Sequence, residues 1–162
     1  GLIMSEQIQS IAQNNYILAT QQEVSHDNTL SGNGTVDSPL GLNETVLWSG
    51  NSNTSPLTAS EPLSSFEKVE IVWEHNYNNT VINHFNYTYK MPSNELFAYG
   101  GRTGGNGFTW FLAAWTIGSD GKTLTRTQSK YIPITTSVGT PIDNTNLFPI
   151  KIIGINRLSA SN

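Results

Sequence analysis

Few residue types in this sequence are able to do chemistry, and they are scattered. They are three histidines (His26, His75, His84), an acidic run (Glu67, Glu70, Glu74) and a glycine-rich stretch from Gly100 to Gly107. Glycoside cleavage needs two carboxylates flanking a bond in a cleft. The three Glu instead alternate along one stretch with Val69, Ile71 and Trp73, which is the pattern of a solvated strand face. No Gly-x-Ser-x-Gly signals an activated serine. If Asn78-Asn79 forms a two-residue turn, His75 stands opposite Ile82 and His84 opposite Trp73, so the two His become diagonal neighbours on one face. A metal site wants three or four ligands and no third is placed, so these are structural histidines. The glycine-rich stretch lacks the GxxxxGK[ST] order and leads into a strand rather than a helix, so it is no phosphate cradle. It reads as a mobile loop between strands, the place where a rigid sheet carries binding residues. Tyr99, Arg102, Asn106 and Trp110 gather there. Aromatic faces suit the apolar side of a sugar, and planar polar groups suit its hydroxyls. These four are the candidate receptor-binding residues; no catalytic residue, metal or cofactor is expected.

The elements that would hold them are strands. From about Thr45, period-two runs appear at Thr45–Ser49, Glu67–His75, Thr80–Lys90, Lys122–Ile132 and Pro149–Leu158. Gly107–Ile117 is apolar on both faces and reads as a central strand. Asn78-Asn79 and Asp120-Gly121 are hairpin signals. This arrangement predicts an antiparallel sandwich or jelly-roll-like head over residues 44–162.

Two thinner segments come first. In residues 1–24, Met4, Ile8, Ile11, Asn15, Leu18 and Gln22 follow an alternating four-three spacing. That is a short coiled-coil-like helical stem, leaning to three strands because Ile occupies both seam positions, or one amphipathic helix packed on its own domain, or an extended segment with a strand at Tyr16–Leu18. Residues 25–43 offer apolar side chains only singly, at Leu30, Val36, Leu40 and Leu42. One such thread has no core of its own, so it is expected to be an extended shaft segment intertwined with other copies. The fold class is therefore all-β, on a short N-terminal helical or extended trimeric stem.

Composition removes whole classes of function. The 162 residues carry 8 basic against 12 acidic side chains, which leaves no electrostatic footprint for nucleic acid. The longest apolar run, Trp110–Trp115, is too short for a bilayer, so no membrane insertion is expected. At 36% hydrophobic the chain is too apolar to be disordered, and with Cys 0 it has no disulfide or thiolate site. Asn 18, Thr 18 and Ser 17 dominate the polar side. The opening Gly1-Leu2-Ile3-Met4 has no basic segment before an apolar one, which points to a chain made without a secretory signal, or to a fragment.

Residues Val24–Asn43 contain Thr29-Leu-Ser-Gly-Asn-Gly-Thr35 and Ser38-Pro-Leu-Gly-Leu42, followed by Thr45-Val-Leu-Trp-Ser-Gly-Asn51. This stretch resembles the segment ahead of the C-terminal domain in tail-fibre proteins of tailed bacteriophages and prophages. The resemblance covers Val24 to Asn51; beyond that it is architectural. It implies a parallel homotrimer joined to the rest of a tail fibre, with a β-rich distal head. Such a head attaches the virion to a bacterial cell-surface glycan or outer-membrane protein without enzymatic activity. The chain would be assembled in the host cytoplasm and located at the fibre's distal end. The alternatives are a virion-associated polysaccharide-modifying enzyme and a structural trimerisation or baseplate-attachment module.

Overall fold

A computed structural model describes residues 2–21, 23–51, 53–104 and 107–159. They belong to two compact units, Gly1–Asn43 and Glu44–Asn162.

In the first unit the four-three spacing becomes a helix, α1, Leu2–Gln21, which takes in the alternative strand at Tyr16–Leu18. Met4, Ile8 and Ile11 project from it 66%, 62% and 61% exposed. The rest of the seam, the side chains of Asn15 and Leu18 and all of Gln22, lies outside the described residues. Residues 25–43 are not a single extended thread. Two short strands, β1 (Leu30–Ser31) and β2 (Gly41–Leu42), pair antiparallel and close a small hairpin. Gly32 lies at φ 81°, and a Cβ there would meet the Pro39 carbonyl oxygen at 2.0 Å, so only glycine fits this turn. Asp27 accepts from the Thr29 amide and hydroxyl, and Asn33 does the same for Thr35. The hairpin therefore rests on polar turn chemistry. Among residues 4–13 and 23–43 of this unit none is buried.

The second unit is mostly β-sheet, antiparallel throughout. Its strands are β3 (Glu44–Ser49), β4 (Leu57–Thr58), β5 (Phe66–Tyr77), β6 (Thr80–Lys90), β7 (Glu95–Gly104), β8 (Gly107–Ile117), β9 (Thr123–Ile134), β10 (Ile142–Asp143) and β11 (Leu147–Arg157), with a 3-10 turn at Leu63–Ser65. One sheet has the order β3-β11-β5-β6; the other runs β10-β9-β8-β7, with β4 also on β9. Alternate residues of both sheets enter one core: Leu47, Val69, Ile71, Trp73 and Ile152 from the first, Leu96, Ala98, Phe111, Ala113, Trp115 and Leu124 from the second.

The two β-turn signals are used as chemistry requires. Asn78 and Asn79 take φ 51° and 60° in a two-residue turn. At Asp120-Gly121 the loop spans residues 118–122, and Asp120 accepts from the Lys122 and Thr123 amides and the Thr123 hydroxyl. Those bonds hold the Asp120 carboxyl down to about 2.

The long strand missing from the sequence reading is β7. Its glycines are there because rings lie across the backbone. A Cβ on Gly100 would stand 3.3 Å from the Phe85 ring, and one on Gly101 would stand 2.3 Å from the Phe108 ring. Glycine in a strand marks close approach as well as a turn. The free edge of β7 faces β6, where Tyr87 Oη donates to the Tyr99 carbonyl (2.7 Å) and Tyr89 Oη to the Phe97 carbonyl (2.9 Å). Those carbonyls are two residues apart, so they point to the same side of the strand. Tyr89 Oη also accepts from Trp73 Nε1 at 3.2 Å, and burial pushes its phenol well above the usual range. Tyr89→Phe strips a partner from both Trp73 Nε1 and the Phe97 carbonyl. It should lower stability by about 1–3 kcal/mol, seen as a lower urea midpoint at unchanged slope.

Candidate functional site

Three loops and the end of both sheets enclose a cavity of about 700 Å³, entirely within the second unit. That is within the usual range of roughly 300–1,000 Å³ for small-ligand sites. Asn51 and Asn53 reach it from the segment after β3, Asn76 to Asn79 from the β5–β6 turn, and Asn144 to Asn146 from the segment between β10 and β11. Its sheet-side wall is Arg102 of β7, Thr109 and Phe111 of β8, and Tyr131 of β9. No Asp or Glu is among these lining residues.

The rim is tied together before any ligand arrives. Asn53 Nδ2 donates to Thr145 Oγ1 at 2.7 Å, and Arg126 Nη1 donates to the Asn53 carbonyl at 2.6 Å. The Asn146 amide donates to Asn144 Oδ1 at 2.7 Å, and the Asn76 amide to the Asn146 carbonyl at 2.8 Å. Loops fixed to one another lose little freedom on binding, which favours affinity. Arg102 lies over the Tyr77 ring, 3.9 Å from guanidinium carbon to centroid. Behind this wall His75 is 2% exposed, its ring centroid 3.6 Å from that of Phe111. Burial, with a smaller contribution from Arg102, lowers its pKa to about 4, so the ring is neutral near pH 7. His75 Nε2 and Asn76 Oδ1 are buried without hydrogen-bond partners.

The four residues expected to form one site are divided. Arg102 lines the cavity. Tyr99 and Trp110 lie on the opposite, outward face of the same sheet, 53% and 46% exposed, with centroids 6.4 Å apart. Asn106 lies outside the described residues. The cause is the alternation of a strand: Tyr99 and Arg102 are three residues apart on β7, and an odd separation puts them on different faces. A loop would have imposed no such rule. The outward face carries a row of rings, Phe97–Tyr99–Trp110–Phe108, with successive centroids 5.8, 6.4 and 6.2 Å apart.

The histidine pair also separates. Tyr77 pairs with Thr80 and Asn76 with Val81, but then a bulge moves the register by one, so that His75 faces Asn83, Glu74 faces His84 and Trp73 faces Phe85. A one-residue shift sends every following side chain to the other face. His84 thus meets Glu74 outside (Nε2 to Oε2 3.0 Å) while His75 stays inside. Among the described residues no group of three or more His, Asp or Glu is placed to hold a metal. Of the acidic run, Glu67 accepts from Asn156, Glu70 from Asn86, and Glu74 pairs with His84.

Sequence reasoning missed the amides. The signal was present as three Asn-x-Asn triplets, Asn51–Asn53, Asn76–Asn78 and Asn144–Asn146, all at strand ends. No protein-family model matches this sequence, and no curated protein does either. No helix among the described residues is long and apolar enough to cross a membrane.

Proposed function

We propose that this chain is the distal region of a phage or prophage tail fibre, and that its head binds a glycan of the bacterial surface without enzymatic activity. The observation that carries this reading is the amide-lined cavity. Seven Asn, two Thr, two Tyr and one Arg surround it. Such a wall offers paired donors and acceptors for hydroxyls, and rings for a sugar's apolar face. The lack of any carboxylate among the lining residues supports binding over a carboxylate-pair hydrolysis. Two antiparallel sheets sharing one core support a sandwich-like head.

Trimerisation is supported by the first unit, in which residues 4–13 and 23–43 are all unburied and whose helix presents Met4, Ile8 and Ile11 to solvent. Three heads at one tip raise effective concentration, so weak single-site contacts yield firm attachment to the host. A solution mass of three times 17.7 kDa is expected, and a monomer counts against the fibre reading.

The site itself is tested on an array of bacterial surface polysaccharides. Asn51→Leu, which puts an apolar side chain in place of a lining amide, should reduce binding by about tenfold or more, the effect of one or two hydrogen bonds lost. Trp110→Ala should change it less than about twofold, since that ring lies on the other face. The reverse pattern would move the receptor site to the outward row of rings and favour a protein receptor.

A further inference from the structure

Among the described residues that line the cavity, Arg102 is the only charged side chain, the others being amides, hydroxyls and rings. Among the described residues the ion pairs are His84–Glu74, Lys130–Asp143 and Arg157–Glu61, and Arg102 enters none of them. Scarcity of acids is not the reason, because the chain has 12 acidic residues and a net charge of −4. Acidic side chains are placed elsewhere, while the half-buried guanidinium keeps its five N–H donors free of any carboxylate. His75, neutral near pH 7, adds no second charge to the wall. Beside it, Asn76 Oδ1 is a buried acceptor without a donor.

We infer that the cavity selects an acidic sugar, whose anionic group meets Arg102. This rests on the cavity being a glycan site. A planar guanidinium fork matches a carboxylate or a phosphate edge-on with paired hydrogen bonds. Either group satisfies the charge, whereas a neutral sugar offers Arg102 only hydroxyl acceptors, which make weaker, uncharged partners. The protein's overall negative charge would repel an acidic polymer at long range, so selection is local to this contact and not a matter of steering.

The test uses the full chain, isotope-labelled, titrated with three methyl glycosides that differ only at C6: methyl glucoside, methyl glucuronide and methyl glucoside 6-phosphate. The galactose series runs in parallel. The expected result is a shift of the Arg102 Nε–H signal and of the Asn76 and Asn144 side-chain amides. At least one acidic member should bind about tenfold more tightly than its neutral parent. Comparison of the uronide with the phosphate identifies which anion is preferred. Arg102→Gln should bring the acidic members to the neutral level, and Arg102→Lys should keep a reduced preference because it retains charge without the fork. Equal binding of acidic and neutral sugars, or a preference that survives Arg102→Gln, overturns the acid selection and leaves the glycan reading standing. No response of any cavity signal to any of the sugars removes both.

Discussion

Trp73→Ala is expected to destabilise the second unit by about 3–5 kcal/mol, the range for removing a large aromatic side chain from a filled core. Trp73 is fully buried on β5, paired with Phe85 on β6 and Pro149 on β11. Its side chain belongs to the one core cluster that takes residues from both sheets. Its Nε1–H donates to Tyr89 Oη, which in turn donates to the Phe97 carbonyl on the facing edge. Removing the indole therefore opens a cavity and also takes away the donor that holds the phenol joining the two edges. Single domains have only about 5–15 kcal/mol in hand, so the variant should lie near or below its folding threshold at 37 °C. Urea unfolding followed by Trp fluorescence and by far-UV circular dichroism measures this, with a lower midpoint and coincident transitions expected. Trp73→Phe keeps most of the apolar volume and loses the donor, so its cost should be clearly smaller. If Trp73→Ala and Trp73→Phe are equally mild, the sheets do not share the core described.

Most strands were legible because period-two burial writes itself into sequence. Thr80–Lys90 and Gly107–Ile117 coincide with β6 and β8, and the Asn78-Asn79 turn lies where its tolerance of positive φ put it. What was not legible came from longer range. Gly100 and Gly101 signal a loop locally, and only the rings of Phe85 and Phe108 across them turn those glycines into strand. The bulge beside His75 leaves no local mark, yet it decides which histidine is inside. The cavity was hidden for a similar reason. Its amides come from loops separated by up to about a hundred residues, and each Asn-x-Asn reads alone as an ordinary turn. Of the expected site, Arg102 reached the cavity because the even-numbered side of β7 faces inward with Leu96 and Ala98. Tyr99 and Trp110 lie on the outward face because this segment is strand, in which residues three apart part company, and not the loop that its glycines signal.

Stability should fall as pH drops from about 6.5 to about 4, and His75→Leu should abolish most of that fall. The native pKa of His75 is lowered to about 4, chiefly by burial and then by Arg102. An unfolded chain titrates near the ordinary value of about 6.5. Between those values the unfolded state binds a proton that the native state refuses, so protonation pulls the equilibrium toward unfolding. The contribution is fully present above about pH 6.5 and fully lost below about 4, and at most it amounts to about 3 kcal/mol. Asp120 does not confuse the measurement. Its carboxyl is held down to about 2, so its contribution is lost only as pH falls from the usual carboxylate range toward 2, below the histidine window. Leucine has a volume near that of histidine, cannot titrate, and removes the unpartnered Nε2 from beside the Phe111 ring. The urea midpoint of the wild type should therefore drop between pH 7 and pH 5 while that of His75→Leu stays nearly level. A His75→Leu variant that loses stability as steeply as the wild type would show that the buried ring is not the titrating group. The same linkage reaches the cavity: an anion on Arg102 cancels part of the field that opposes His75 protonation, so acidic ligand should raise the His75 pKa, and lowering the pH should in turn tighten the anion's hold.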